Sequence, residues 1–485
     1  MQNKRDQVHA HMFLMGRLTS GMLRADPDSP ESPQGRTNRG IAIGVIVAVL
    51  VSAGAFVFGL LAPGTKDSWR SSGALIVEKE TGSRYLYVNG RLRPVRNYAS
   101  ARLLLGTKLK TTTVGSASLK DTPHGASAGI QGAPDGLPSA RNLSKAPWQV
   151  CSSTGPEGQG PVSTLAVAAE PTGTPLGERQ GLLATGPDGT PYVLWSGMRL
   201  RLDAQRGARE ALGYGSAAPL KVSAALLGAL PAGPDLTPPE VPGRGSAGPQ
   251  LGGRATRIGQ LFQVSVMGAD APRTYLLRQE GLRPVSATTA ALMLGDPQTR
   301  EKAYAGESPA VAELGADALR GRLAPDDPAG KDAERLPQSP PQLMDVPKGS
   351  SPCVRITPAG ADAKGTRISM ALVDSPALGP VAESSDAVAA PCTPIDRVTV
   401  PPGGGVLVQA LSASGAQVGG TLYLVTGTGL KYRIVSTKAA EALGYDTASA
   451  QGLPSQFLGM LPSGPDLSTE AAQEGRSQVT GPVCK

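Results

Sequence analysis

The chain has 485 residues and a formal net charge of +8; 40% of its residues are apolar and only 4% aromatic, and it carries 62 Gly and 44 Pro. That length exceeds one ordinary core, so several small turn-rich modules are expected. The positive charge is spread thinly, with no basic run interleaved with aromatics, which argues against a nucleic-acid partner.

Residues 3–25 read as a helix. Val8, Met12, Met15, Leu18, Met22 and Leu23 recur at three- and four-residue steps on one face, with Arg5, Arg17 and Arg24 largely off it. Such a helix either lies on the inner leaflet or docks onto a partner, and the pattern alone leaves both open. Residues 26–40 are polar and Pro-containing and read as a linker. Residues 41–62, IAIGVIVAVLVSAGAFVFGLLA, hold no charge. At 1.5 Å per residue they cover about 33 Å, enough for the ~30 Å hydrocarbon core. The run is longer than a signal-peptide core and starts too late for one. Lys4, Arg5, Arg17, Arg24, Arg36 and Arg39 precede it, whereas only Lys66 and Arg70 follow closely. The expected topology is a single pass with the N-terminus cytoplasmic and the C-terminal domain outside.

Beyond the span the chain repeats itself. Tyr85-Leu-Tyr-Val-Asn-Gly-Arg-Leu92-Arg-Pro-Val95 matches Tyr275-Leu-Leu-Arg-Gln-Glu-Gly-Leu282-Arg-Pro-Val285. Ala211-Leu-Gly-Tyr214 and Ala442-Leu-Gly-Tyr445 are each followed 20 positions on by Pro-x-Gly-Pro-Asp-Leu, at 231–236 and 462–467. Matched words at matched spacing signal duplication. Four copies share one grammar. A first strand (74–77, 182–184, 261–266, 406–410) leads to a strand carrying Tyr85, Tyr192, Tyr275 or Tyr423. A tight turn follows at Asn89-Gly90, Ser196-Gly197, Glu280-Gly281 or 427–429, then a third strand. A helix capped by Asn97, Asp203, Ser286 or Ser436 closes each copy, ending at Gly106, Gly213, Gly295 or Gly444. Each copy therefore reads as a three-stranded meander with one helix.

The four cysteines are Cys151, Cys353, Cys392 and Cys484. Their spacing fits no zinc pattern, and two disulfides are expected. Short unit, Cys151, long unit is followed by short unit, Cys353, long unit, so the half at 70–240 corresponds to the half at 241–470. Duplicated halves pack about a pseudo-two-fold axis, where a residue meets its own copy. That predicts Cys151–Cys353, leaving Cys392 to pair with Cys484.

Catalytic constellations are not evident. His124 is the only histidine beyond the span and sits in a loop-like Asp121-Thr-Pro-His124-Gly. Gly106-Thr107-Lys108 lacks the leading Gly of a phosphate loop, and Gly330-Lys331 has Pro325 in that place. Asp326-Asp327 reads as a solvated pair. No catalytic residue, cofactor or metal ligand is named.

The N-terminal Arg5-Asp-Gln-Val-His-Ala-His11-Met-Phe13 with Arg17-Leu-Thr-Ser20, the single span, and Arg-Leu-Arg-Pro-Val after an Asn-Gly turn resemble the EccB family. EccB is a core membrane component of the type VII (ESX) secretion system of actinobacteria. The resemblance covers nearly the whole chain. It implies an α+β single-span protein with an extracytoplasmic domain of four repeats around a central β-rich domain. The repeats are similar to cell-wall-binding modules of a phage lysin, and a central disulfide matches Cys151 and Cys353. It also implies partners: an EccC-type FtsK/SpoIIIE ATPase, EccD, EccE, the mycosin protease and other copies of the chain, with peptidoglycan a further candidate. Secreted clients are helical hairpins of the WXG100 kind. Some members carry an ATPase label, which the missing phosphate loop does not support. The function expected is a structural core subunit; an ATPase subunit and a free-standing wall-binding anchor are the alternatives.

The expected layout is a cytoplasmic arm at 1–40, the span at 41–62, linker and repeat 1 at 63–125, and the first part of the central domain at 126–170. Repeat 2 then covers 171–240, repeat 3 covers 241–335 and the second central part 336–402. Repeat 4 is expected at 403–468 and a tail at 469–485.

Overall fold

A computed structural model describes residues 4–25, 33–61, 67–70, 73–156, 159–170, 173–265, 272–325, 336–358, 366–374, 378–382, 389–412 and 417–481. Two helices come first. α1, Lys4–Arg24, carries Asp6 in its first turn, where a carboxylate suits the positive end of the helix dipole. α2, Pro33–Leu61, contains the apolar run. It begins well before residue 41, so the last part of the expected linker is helical. Pro33 explains this: its fixed φ suits a first helical position, and helix growth is cheap once nucleated. Within α2, Thr37–Phe58 is long and apolar enough to cross a bilayer, and none of its residues is buried. Ile41, Leu50 and Phe56 stay exposed at 60%, 65% and 70%, which water does not favour and lipid does.

Four small sheets share one strand order, third-second-first-fourth. The first is Ala74–Glu78, Arg84–Val88, Arg91–Pro94 and Lys110–Val114. The second is Gln180–Thr185, Pro191–Trp195, Met198–Arg201 and Leu220–Lys221, with Gln342–Leu343 added parallel to Gln180–Thr185 as a fifth strand. The third is Leu261–Val264, Arg273–Arg278, Gly281–Val285 and Ala312–Leu314. The fourth is Gly405–Leu411, Gln417–Thr426, Lys431–Ile434 and Gln451–Pro454. In each, three antiparallel strands form a meander. A fourth strand, beyond the helix, returns parallel to the first. These returning strands are not legible in the sequence, because strands of two to five residues show no alternation.

Local chemistry fixes most of the turns. Asn89 and Gly90 have φ of 51° and 75°, and Ser196 and Gly197 of 47° and 73°, as a type I′ hairpin requires. In the third unit Arg278 pairs with Gly281, so the turn is Gln279-Glu280, one residue earlier than expected. Asn97, Ser286 and Ser436 cap their helices by accepting from Ser100, Thr289 and Ala439 N–H groups. Asp203 does not cap its helix. It accepts from Gln205 and Arg206 N–H in a turn of its own, and the short helix Ala208–Ala211 starts from left-handed Gly207. Gly295 is likewise the last helical residue, not a left-handed stop; extended Asp296 follows and caps the next helix, Pro297–Ala303.

A six-stranded sheet holds the units together. Its order is Arg397–Thr399, Val162–Ala166, Trp148–Ser153, Ser350–Thr357, Arg367–Asp374, Thr174–Pro175. Two hairpins, one from each half, thus lie back to back. Each outer strand sits on the other half's hairpin: Thr174–Pro175 beside Arg367–Asp374, and Arg397–Thr399 beside Val162–Ala166. The main core joins this sheet to the second and fourth units through Trp148, Val354, Leu226 and Phe457. A second core combines the first and fourth units through Leu103, Leu443 and Tyr445. A third links the second and third units through Leu212, Tyr214 and Leu292.

Candidate assembly site

The six-stranded sheet joins strands distant in sequence. Trp148–Ser153 and Ser350–Thr357 run antiparallel, and Cys151 stands directly opposite Cys353. Both are fully buried and bonded, with Cα atoms 4.0 Å apart across 202 positions of sequence. A pair with closely opposed side chains is where an antiparallel ladder can accept such a link. Cys392 is also disulfide-bonded, and its N–H donates to Gly459 O at 2.8 Å. Cys484, its expected partner, lies outside the described residues.

Among the contacts that cross between the halves are two tyrosine hydrogen bonds. Tyr214 Oη donates to Pro341 O at 2.7 Å, and Tyr445 Oη donates to Pro138 O at 2.8 Å. Burial pushes both phenols well above the ordinary tyrosine range. Both tyrosines end the matched Ala-Leu-Gly-Tyr words, so the words mark a tie as well as a helix end.

The second and third units are held by a buried ion cluster. Asp296 is fully buried and accepts from Arg206 Nε at 3.2 Å and Nη2 at 2.7 Å, Arg244 Nη1 at 2.5 Å and Thr299 Oγ1 at 2.9 Å. Burial pushes its carboxyl up, but hydrogen bonds from Arg206 and Thr299 and the Arg206 charge hold it below the usual carboxylate range. Beside it Gly295 lies against Ala211: a Cβ there would meet the Ala211 Cβ at 2.3 Å. Arg206, Asp296 and Arg244 lie 90 and 52 positions apart, and no spacing rule connects them in sequence. In the fourth unit Lys431 is 4% exposed; its Nζ donates to Leu458 O at 2.5 Å and Leu461 O at 2.7 Å. Burial lowers its pKa to about 8.

Other residues of the sequence reading fall at the periphery. Val8, Met12, Met15, Leu18 and Met22 lie on α1, between 52% and 86% exposed. His124 is exposed, its ring edge-on to Tyr85 at 5.7 Å. Gly106–Lys108 forms a 3-10 turn after the C-terminal end of the helix Tyr98–Leu105. A phosphate loop needs the opposite order, with the positive N-terminal end of a helix facing the anion. Asp326, Asp327 and the Gly330-Lys331 pair lie outside the described residues. Among the described residues no group of three or more His, Cys, Asp or Glu side chains could hold a metal.

This geometry defines a membrane-anchored, multi-unit β-rich protein whose buried polar chemistry joins units together. A family model, type VII secretion system ESX-1, transport TM domain B, matches residues 2–480. The chain belongs to that family, EccB. The protein named ESX-3 secretion system ATPase EccB3 from Mycolicibacterium smegmatis is 30% identical over 96% of this chain and 89% of its own length. The structure of an EccB3 dimer from the ESX-3 core complex has a TM-score of 0.66 at 26% identity, covering 82% of this chain and 99% of that one. A chain of an intact ESX-5 inner membrane complex shares the fold over 100% of this chain and 97% of that one, with a TM-score of 0.66 at 22% identity.

Proposed function

We propose that this chain is the structural core subunit that anchors and stabilises the extracytoplasmic side of a type VII secretion membrane complex. The observation that carries the reading is the buried junction. Disulfide, tyrosine ties and ion cluster rigidify one large body behind a single anchoring helix. The units are four copies of one meander-helix-strand module. Two halves, near 70–240 and 241–470, are related by a pseudo-two-fold through Cys151 and Cys353. The tie from Tyr214 to Pro341 and the tie from Tyr445 to Pro138 support that relation, since each half supplies one donor and one acceptor. The arm at 1–40 is cytoplasmic, and the units lie outside. The Val8, Met12, Met15, Leu18 and Met22 face is the docking face of α1. Its partners are an EccC-type FtsK/SpoIIIE ATPase, EccD and EccE, with the mycosin protease and peptidoglycan as further contacts and other copies of the chain beside it. Any hydrolysis belongs to the EccC-type motor: Lys108 follows a helix C-terminus, the wrong end for a triphosphate.

The test is purification of the tagged chain from its native membrane in gentle detergent, with mass spectrometry of what co-elutes. A large complex containing a FtsK/SpoIIIE-type ATPase and a many-span protein is expected. A lone chain or homo-oligomer, reproducibly free of both, refutes the reading and favours a wall-binding anchor. Hydrolysis by the pure full chain that is abolished by Lys108→Ala would establish the ATPase alternative instead.

A further inference from the structure

We propose that the first unit rests one end of its sheet on anionic lipid headgroups, making it a second membrane contact beside α2. This rests on α2 spanning the bilayer.

The argument starts from chain length. α2 ends at Leu61, and the 3-10 turn Asp67–Arg70 opens the first unit. Six Cα steps separate Leu61 from Asp67, a reach of at most about 22 Å. Two residues later the chain is fixed. Trp69 is fully buried among Ile76, Leu92, Val114 and Leu119, its ring edge-on to Tyr87 at 5.3 Å. The unit is therefore held near the bilayer, and the chain enters the unit at one particular end of its sheet.

Strand register says what that end carries. Ala74 pairs with Lys110 and Val88 with Arg91, so one row holds the strand entry, the Asn89-Gly90 hairpin tip and the start of the fourth strand. Arg91, Lys108 and Lys110 are exposed there, and exposed Arg70 lies in the entry turn with its guanidinium 5.0 Å over the Trp69 ring. Asp67 is the carboxylate in the same entry turn. The fourth unit's helix Thr437–Leu443 packs on the Gly106–Lys108 turn and adds Lys438 and Glu441, one charge of each sign. Val88, at the hairpin tip, is a 37% exposed apolar residue. The opposite end is different. Glu78, Glu80 and Asp135 stand with Lys79, Arg84 and Arg96, so neither sign is in excess; Glu80 accepts from Ser116, and Asp135 pairs with Arg84. The cationic excess and an apolar tip thus lie at the end the tether draws toward the membrane. Cations near an anionic surface add attraction together, and a short tether gives them a high effective concentration. A wall polymer offers anions too, but the tether orients this end toward lipid.

The experiment places the full chain in nanodiscs, zwitterionic or containing about one-third phosphatidylglycerol, and follows amide hydrogen exchange. Residues 88–91 and 107–110 are expected to exchange about tenfold more slowly in the anionic discs. The protection should vanish at high salt and in R70E/K108E/K110E, while the third unit's hairpin at 277–282 stays unchanged. These discs hold no wall polymer, so protection reports lipid alone. Lipid-independent exchange in the wild-type chain overturns the proposal even if the triple variant misfolds. Failure of the chain to enter discs would instead overturn the spanning reading beneath it.

Discussion

Replacing Lys431 with Met separates charge burial from hydrogen bonding in the fourth unit. The ammonium is 4% exposed and donates to the Leu458 and Leu461 carbonyls. Two carbonyls accept from the ammonium without neutralising its charge, so burial disfavours the charged form and its pKa falls to about 8 from 10.5. The unfolded chain holds that proton up to its ordinary value. Stability from this group is therefore complete above pH 10.5 and is lost as pH falls through about 8. A tenfold change in proton affinity is worth about 1.4 kcal/mol, so at pH 7 burial of the charge costs about 3 kcal/mol, most of it recovered by pH 10. The Lys431→Met variant has no such term but leaves two carbonyls without their donor, at about 1–3 kcal/mol each. The two effects nearly cancel at pH 7. By pH 10 the wild type should lead by about 2.5 kcal/mol more than it does at pH 7. Guanidinium unfolding of the full chain in detergent, followed by tryptophan fluorescence, measures this, since Trp148 shares a core with Leu458 and Leu461. Taking the difference from the variant removes the titration of the buried tyrosines. A wild-type minus variant difference that does not change between pH 7 and 10 would refute the reasoning.

Three other outcomes are expected. Asp296→Ala leaves Arg206 and Arg244 buried without their carboxylate, and should cost about 3–5 kcal/mol in the same unfolding measurement. The wild-type advantage stands above about pH 4 and fades as pH falls through the lowered folded pKa, so a variant equally destabilised at pH 2 and pH 7 would contradict it. Replacing both Cys151 and Cys353 by Ser removes a cross-link over 202 positions, worth about 5 kcal/mol in the loop-entropy account; non-reducing peptide mapping of the wild type should give the 151–353 peptide. Met15→Asp with Leu18→Asp should strip partner proteins from the purified complex while leaving unfolding of the exterior units unchanged, because both side chains are exposed on α1. Retention of every partner would remove α1 as a docking element.

The helices and meanders were readable because their signals are local. A charge-free run, a stripe at three- and four-residue steps, an Asn-Gly turn and a Ser before a helix each act within a few residues. Gly207 displaced Asp203 as the start of the second unit's helix because a carboxylate can serve a turn as well as a cap. The returning strands were invisible for a different reason. Leu220–Lys221 has two residues, and only its partner Gln180–Thr185 makes it a strand. The ion cluster needs Arg206, Arg244 and Asp296 brought together by three separate turns, and Lys431 reads in sequence as an ordinary strand cation. The returning strands and the ion cluster escaped the sequence because they depend on tertiary proximity that no repeated word marks.

The register of Cys151 against Cys353 also orders the making of the protein. Within this sequence Cys353, the partner of Cys151, is the next cysteine to follow it. Oxidation in order of appearance therefore gives the correct bond without an isomerase having to undo a wrong one. The same register imposes a wait. Trp148–Ser153 has no neighbour from the other half until Ser350–Thr357 arrives, which at ribosomal speed takes about 10–40 s. During that interval the first half is an unfinished edge, so whatever receives the growing chain must shield it until the second hairpin closes the sheet.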